Sequence, residues 1–380
     1  MHRSKFFVEN FGIEKIFYNF ALRNRLRNYK IMNPRGNTKK ISIYDLARRL
    51  NVSASTVSRA LHDHPSIGKE MKEAVRALAK ELNFKPNHIA VALKTGKMKT
   101  IGIVVPQINR TYFVEAIAGV ERELYKAGYD LIIASTGNLY ERERKIITSL
   151  SQGKVIGVIA AVAAETTDYS HYQMLVDNNI PLVMFDRKMP IDNTSCVVQD
   201  DFDGAYRATE HLIEQGCRRI YHFRGPQNVS VWSDRDAGFR RALEKHGLGI
   251  APQAIHTAIT TEDEGRKYAK KLLMHKELPD GILFSGDFAA KAAMEEFIAA
   301  GVRIPQDIAV VGFVNEPWDT LLNPPLSSIE QFSGKIGETA AQMMLEAIDG
   351  MPHRNIVYKP QLIVRESSMK RKYAPATTPV

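Results

Sequence analysis

From residue 100 onward, short runs of β-branched and other apolar residues alternate with stretches in which apolar positions recur every three to four residues. The first cycle predicts a strand over 101–105, a helix over 113–127, a strand over 130–134, a charged helix over 141–150 and a strand over 155–161. Strands that are apolar throughout, separated by helices, point to a parallel sheet buried on both faces; a sheet with one wet face would alternate polar and apolar residues. The pattern continues with strands at 181–186, 197–199, 220–223, 281–285 and 308–313, and helices at 203–215, 234–246, 263–274 and 288–300. So long a run exceeds one comfortable core, so two α/β lobes are expected.

Residues 38–99 follow a different pattern, of short helices with tight punctuation. Ser42 and Asp45 have capping-box spacing, and Leu46, Ala47 and Leu50 give the helix that follows one apolar face. Asn51 suits a left-handed turn, and Ser53 can cap a second helix running to Leu61 that Asp63-His-Pro65 terminates. A third helix carries Met71, Val75, Leu78 and Leu82 on one stripe and ends near Lys85-Pro86. Asn87 to Lys94 then forms a two-turn segment, followed by Gly96, which is too short to hold on its own.

Composition places the chain among ordinary globular proteins: 380 residues, 44% hydrophobic, 25% charged, 24 Gly and 17 Pro. No run approaches the roughly 18 uncharged apolar residues of a membrane span, and Glu9, Asn10, Glu14 and Lys15 interrupt any secretory apolar core, so a cytoplasmic protein without membrane contact is expected. Two cysteines, Cys196 and Cys217, are too few for a disulfide framework or a cysteine zinc site. No structural metal and no cofactor are expected.

The net charge of +10 is unevenly spread. Residues 1–37 hold 8 basic and 2 acidic side chains, residues 38–99 hold 13 and 5, and residues 100–380 hold 31 and 35. A basic amino-terminal quarter on a slightly acidic remainder points to a polyanion-binding module joined to a part with another task.

Two helices joined by a short turn, the second carrying small polar groups and one Arg, form a helix-turn-helix arrangement whose second helix enters the major groove. Ala54, Ser55 and Arg59 then face base edges: Arg pairs bidentately with guanine, and Ala offers a methyl-sized contact to thymine. Tyr44, Ser53, Thr56, Ser58 and His62 are placed for phosphate. A three-helix bundle without nucleic acid is the plainer alternative, and the local charge argues against it.

These residues resemble the lactose-repressor (LacI/GalR) family of bacterial transcription regulators, through Ile43-Tyr-Asp-Leu-Ala47, Asn51-Val-Ser-Ala-Ser-Thr-Val-Ser-Arg-Ala-Leu61 and Lys85-Pro-Asn87. The similarity continues through Gly225-Pro226, Arg235-Asp-Ala-Gly-Phe239, Gly286-Asp287, Gly301-Val-Arg-Ile-Pro-Gln-Asp307 and Val311-Gly-Phe313, and spans about 38–368. The resemblance implies a three-helix helix-turn-helix domain at 38–86 and a hinge helix and linker at 87–99. After them comes a two-lobed periplasmic-binding-protein-like α/β domain with parallel sheets at 100–368, and a tail at 369–380. It implies that Leu93, with Lys94 beside it, wedges into the minor groove at the centre of a palindromic double-stranded operator bound by a homodimer. Val91 stands where the family commonly has Arg. Residues 1–37, a basic extension with Phe6, Phe7, Phe11, Phe17 and Phe20, lie outside the resemblance; they are either a functional arm or translated from a start placed too far upstream of Met32.

The resemblance implies a small-molecule effector, sugar-like, in a cleft between lobes expected at 100–198 with 325–332 and at 199–324 with 333–368. Carried over by position, its contacts are Tyr112, Phe113, Asp186, Arg235, Thr260, Asp287 and Asn315. Aromatic rings suit the apolar faces of a sugar or base, while Arg and Asp fix its orientation. Val314 stands where the family usually has Asp, and Val229 and Val231 where others are polar, which points to a less hydroxylated effector or to a grip through Asn315. A Rossmann-type enzyme is the rival for the carboxy-terminal part. No G-x-G-x-x-G follows a strand and no phosphate-binding G-x-x-x-x-G-K-[ST] occurs, so no enzymatic activity is expected. The expected function is a regulator, in the sense of a repressor; the alternatives to a sugar are a protein partner or a non-sugar metabolite such as a nucleobase.

Overall fold

The computed structural model describes residues 41–61, 63–82, 84, 99–152, 155–250, 255–256 and 260–370. The 1–37 extension, His62, Leu93 and Lys94 lie outside the described residues. The chain divides into two units, Met1–Gly96 and Lys97–Val380.

The first unit contains α1 (Ile43–Leu50), α2 (Ala54–Leu61) and α3 (Lys69–Glu81). Leu46, Ala47, Val57, Ala60 and Val75 form its buried core, with Met71, Leu78 and Leu82 packed against them. The punctuation residues do what local chemistry asks of them. The Ser42 N–H and Oγ donate to the Asp45 carboxylate at 2.9 and 2.7 Å, closing the amino-terminal cap of α1. Asn51 ends α1 at φ 53°, in the left-handed region. Ser53 Oγ accepts the Thr56 N–H at 3.1 Å and starts α2.

The second unit is built on two parallel sheets. The first holds β1 (Thr100–Val105), β2 (Asp130–Ser135), β3 (Val158–Ala160), β4 (Leu182–Phe185), β5 (Ser195–Gln199) and β11 (Asn355–Tyr358), in the order β11-β5-β4-β3-β1-β2. The second holds β6 (Ile220–Phe223), β7 (Ile255–His256), β8 (Gly281–Phe284) and β9 (Ala309–Val311), in the order β7-β6-β8-β9. The helices between strands are α4 (Thr111–Lys126), α5 (Tyr140–Ser151), α6 (Ser170–Asp177), α7 (Asp201–Glu214), α8 (Ser230–Lys245), α9 (Glu262–Leu273) and α10 (Asp287–Ala299). Parallel pairing with a helix after nearly every strand leaves both faces dry along the inner strands, as their continuous apolar runs require, while the edge strands β2 and β11 stay partly exposed.

The chain crosses between lobes three times, but the crossing segments are assigned the other way round from the expectation. β10 (Ser328–Glu330) pairs antiparallel with β12 (Gln361–Ile363), and Ile329 is buried in the core of the second lobe with Phe313 and Ala205. Helix α11 (Ser333–Ile348) instead packs into the first lobe, where Ile336, Ala340, Met343 and Met344 join Ile101, Ile103 and Val120. Strand β11 pairs with β5 in that same lobe. The reason is steric as well as apolar. A Cβ at Gly337 would sit 2.0 Å from the Ala116 carbonyl oxygen, so this glycine lets α11 lie against α4 at backbone distance. The lobes are therefore 100–199 with 333–358, and 201–330 with 361–370.

Candidate DNA-reading face and effector cleft

In the first unit, Val57 and Ala60 turn inward while Ser55 and Arg59, one helical turn apart, are exposed. Ala54 is half-buried at the start of the same helix. Arg59 Nε reaches back to the Ser55 carbonyl at 3.4 Å, leaving the rest of its guanidinium toward solvent. Ser53, Ser55 and Thr56 form a small hydroxyl cluster at the helix start, with Oγ–Oγ separations of 2.7 and 2.8 Å. Tyr44 is 69% exposed on α1, and Ser58 is half-buried on α2. Short donors, an exposed Arg and a helix start on one side suit a groove lined by phosphates.

In the second unit, the carboxyl ends of strands from both sheets meet at the seam between the lobes, where open α/β folds place ligands. Tyr112 opens α4 after β1, and Asp186 and Arg187 follow β4. Gln199 ends β5, Asp201 and Arg235 sit on α7 and α8, and Ser285 follows β8. All are buried. Arg235 Nε donates to Asp201 Oδ1 at 2.7 Å, its Nη1 donates to the Ser285 carbonyl at 2.8 Å, and its guanidinium lies 3.7 Å over the Phe313 ring. A surface pairing of Arg235 with Asp234 or Asp236 does not form. Asp201, which the sequence did not single out, also accepts from Gln199 Nε2 at 2.7 Å.

Electrostatics mark this cluster. Burial pushes the Asp186 carboxyl up to about 6 against the pull of Arg187 and Arg235, and Asp201 adds to the rise. Asp186 adopts φ 63°, in the left-handed region. Burial and the carboxylates of Asp186 and Asp201 hold the Tyr112 hydroxyl well above its ordinary range. The Tyr112 hydroxyl and Arg187 Nε face the Asp186 carboxylate, the latter at 3.4 Å, whereas Ser285 Oγ and Gln199 Oε1 are buried polar atoms without a hydrogen-bond partner. Such groups are costly unless something supplies the missing bond.

Other expected contacts have different work. Phe113 packs edge-on against Phe185, with ring centroids 6.2 Å apart, within the first-lobe core. The Thr260 N–H donates to Glu264 Oε2 at 2.8 Å and belongs to the cap of α9. Asn315 engages both ends of its amide within the protein: Oδ1 accepts from Arg365 at 2.6 Å and Nδ2 donates to Glu330 at 2.7 Å. Asp287 accepts from Ser328 Oγ at 2.9 Å and from the Glu316 N–H at 3.2 Å, and Gly312 makes room for its carboxylate. Asp287 and Asn315 thus come together with Ser328, Asp319 and Arg365 at the lobe crossings rather than with Arg235. Val314 packs against the first-lobe core at φ 130°, a strained angle for a β-branched residue.

A cavity of about 220 Å³ opens between the lobes, lined by Val162, Ala163, Thr166 and Tyr169 on one side and Asn228, Val229, Ser230 and Ser233 on the other. Lys188, which bridges to Ser230 and Asp234, completes its rim. A larger one, about 310 Å³, lies in the first lobe among Met184, Met189, Ile191 and Cys196 and holds none of the seam's carboxylates. Burial pushes the Cys196 and Cys217 thiols up to about 11 and about 12, which fits packing rather than reactivity. No cluster suited to a metal ion occurs among the described residues.

A three-helix unit with a polar, exposed second helix, joined to two α/β lobes that bury a charged seam, defines a DNA-binding regulator with a ligand clamp. Residues 42–87 match the model of bacterial regulatory proteins of the lacI family, and residues 209–368 match a periplasmic binding protein-like domain. The chain is 34% identical to the ribose operon repressor of Halalkalibacterium halodurans over 86% of its own length and 97% of that protein. It is 31% identical to the transcriptional repressor PurR of Haemophilus influenzae, over 86% and 98%. Among solved structures, a periplasmic binding protein/LacI transcriptional regulator from Alkaliphilus metalliredigens complexed with D-xylulofuranose matches at 27% identity with TM-score 0.63, covering 71% of this chain and 99% of that one. The lac repressor dimer bound to operator shares the fold, with TM-score 0.75 over 87% of this chain and 100% of that one, at 22% identity. The chain belongs to the lacI family of DNA-binding transcriptional regulators, and both relatives named here are repressors.

Proposed function

We propose that this regulator is a repressor that binds a palindromic operator as a homodimer and whose DNA affinity is set by a monosaccharide-sized polyol held in the interlobe seam. The observation that carries the reading is the buried polar cluster of Tyr112, Asp186, Arg187, Asp201 and Arg235, in which Gln199 Oε1 and Ser285 Oγ have no partner. Donors and acceptors both lie unpaired there, which is what a ring of hydroxyls satisfies and a plain apolar ligand does not. The names of two of the similar proteins point the same way, one a ribose operon repressor and another complexed with D-xylulofuranose. The effector contacts are Tyr112, Asp186, Arg187, Gln199, Arg235 and Ser285. Ala54, Ser55 and Arg59 read bases, and Tyr44, Ser53, Thr56 and Ser58 hold phosphate. The dimer is supported by β2, the outermost strand of its sheet, which exposes Ile132 and Ile133 along an edge paired on one side only.

A thermal-shift screen of pentoses, hexoses, sugar acids, sugar phosphates and nucleobases tests the effector. A ligand at about 100 times its Kd stabilises by roughly 2.7 kcal/mol. A pentose or hexose that raises Tm supports the reading. A shift with nucleobases alone, or with nothing in the panel, overturns it in favour of another metabolite or a protein partner. A gel shift on DNA neighbouring the gene, with and without the hit, gives the sign of the response. Arg59→Ala should relax specificity at one base pair at a cost of about 1–3 kcal/mol; equal losses on operator and random DNA would remove Arg59 from base reading.

A further inference from the structure

Glu143 lies on α5, has no solvent exposure and touches none of the seam residues named above as ligand contacts. Its carboxylate is nevertheless fully engaged. Oε2 accepts the Ala163 N–H at 2.5 Å, and Oε1 accepts Thr166 Oγ1 at 2.6 Å and faces His171 Nε2 at 2.9 Å. Ala163 and Thr166 belong to the segment 161–169 that leaves β3 and forms one wall of the 220 Å³ cavity. The same segment is tied from two other sides. Arg187 Nη1 donates to the Val162 carbonyl at 2.6 Å and to Asn138 Oδ1 at 3.0 Å, and the Ala164 N–H donates to that Asn138 oxygen at 3.1 Å. From the other lobe, Asn228 Nδ2 donates to the Ala164 carbonyl.

A segment of this length without helix or strand has no ladder of its own, so its backbone polar groups need partners from elsewhere. Glu143 supplies acceptors to two of its groups from a helix that is rigid and buried, and through Val162 and Arg187 the segment continues to Asp186. Without the carboxylate, the Ala163 N–H and the Thr166 hydroxyl lose their acceptor in a buried place, the wall loosens, and Arg187 and the Asn228 contact lose a fixed base.

We propose that Glu143 is a positioning residue for the effector cleft: its buried carboxylate holds segment 161–169 as a wall, so ligand affinity depends on a side chain that does not touch the ligand. The inference rests on the polyol reading of the cleft for its ligand arm only. The test uses the full chain as wild type, Glu143→Ala, Glu143→Gln and the surface control Glu141→Gln, with two readouts. These are hydrogen exchange followed by mass spectrometry, and D-ribose titration by calorimetry. In Glu143→Ala, exchange in 161–169 is expected to quicken about tenfold while 101–105 stays protected, and the D-ribose Kd is expected to rise about tenfold. Glu143→Gln, which keeps one acceptor oxygen, recovers part of both, and Glu141→Gln matches the wild type. Unchanged exchange in 161–169, or unchanged D-ribose affinity despite faster exchange, overturns the proposal. Should Glu143→Ala not fold, Glu143→Gln against wild type carries both readouts. If wild-type protein does not bind D-ribose, the titration uses whichever pentose or hexose raises Tm; if none does, the polyol reading fails on its own and the exchange arm still decides on Glu143.

Discussion

Asp201→Ala tests whether the Arg235 guanidinium is held in the seam by charge pairing or by packing. The two side chains are 6% and 3% exposed, and the contact between them is 2.7 Å. Removing the carboxylate leaves Arg235 with the Ser285 carbonyl and the Phe313 ring, and deprives Gln199 Nε2 of its acceptor. Truncating one member of a buried pair costs about 3–5 kcal/mol, chiefly because the survivor stays charged and dry. In a domain of this size each kcal/mol lowers Tm by about 2–4 °C, so the second unit should melt about 6–20 °C lower. Asp201→Asn retains a carbonyl acceptor and should cost about 1–3 kcal/mol. The double variant Asp201→Leu with Arg235→Met removes the unpaired charge altogether and should be more stable than Asp201→Ala alone. Calorimetry of the four proteins at neutral pH decides. An Asp201→Ala protein within about 1 kcal/mol of wild type, or a double variant less stable than Asp201→Ala, would refute the idea of a desolvated pair.

Two further predictions concern the crossings and the core. Burial first, and the neighbouring Asp287 charge second, push the Asp319 carboxyl up to about 9. The folded state then keeps a proton that the unfolded chain loses near pH 4, so this contribution is complete below that pH and is lost as pH rises to about 9. Asp319→Asn should flatten the fall in stability between pH 7 and 9, above the ranges of Asp186 at about 6 and His222 at about 4. Urea midpoints across that interval check it, and an equal slope in the variant would count against a buried proton there. Gly337→Ala places a Cβ 2.0 Å from the Ala116 carbonyl oxygen and must push α11 off α4. It should cost at least about 1–3 kcal/mol by thermal melting, whereas Gly350→Asn, at φ 78° on the surface, should stay near wild type.

What was legible beforehand follows from how far each signal acts along the chain. The first unit reads residue by residue, because caps and turns such as Ser42 with Asp45, Asn51 and Ser53 act over three or four positions. Most strands of the parallel sheets also read directly from their apolar runs, but the short edge strands β7 and β11, which are not fully buried, do not. Strands of three residues such as Ser328–Glu330 carry no periodicity, and α11, broken by Gly334 and Gly337 and apolar on several sides, does not announce which lobe it joins. Asp201 escaped notice because Asp200, Asp201 and Asp203 together read as an acidic helix start, and its partner Arg235 is 34 residues away. The reverse holds for Thr260 and Asn315. Position alone suggested a ligand contact, while nearby Glu264, Glu330 and Arg365 already engage them.

The distribution of polar contacts also decides how a ligand can act on this clamp. The interlobe contacts at the rim are wet: Lys188 and Asp234 are 55% and 39% exposed at 3.5 Å, the sort of pair worth about 0–1 kcal/mol. Nothing of that size locks the lobes. The seam is dry, and it holds two polar atoms that lack partners, Gln199 Oε1 on the first lobe and Ser285 Oγ on the second. Shifting a two-state equilibrium from 1:99 to 99:1 takes about 5.5 kcal/mol of differential affinity. Only bonds to the lobe that closes onto the ligand count toward that difference: about 0.5–1.5 kcal/mol from Ser285 Oγ and about 1.5–3 kcal/mol from the charged Arg235, about 2–4.5 kcal/mol together. A ligand that reaches both lobes therefore shifts the clamp, though by less than the full 1:99 to 99:1, whereas one that bonds to the first lobe alone binds both states alike and shifts nothing. Ser285→Ala should accordingly weaken the response of DNA binding to the effector more than it weakens effector binding itself, as a gel shift and a calorimetric titration on the same variant would show; equal losses in the two would mean that the lobes do not close on the ligand.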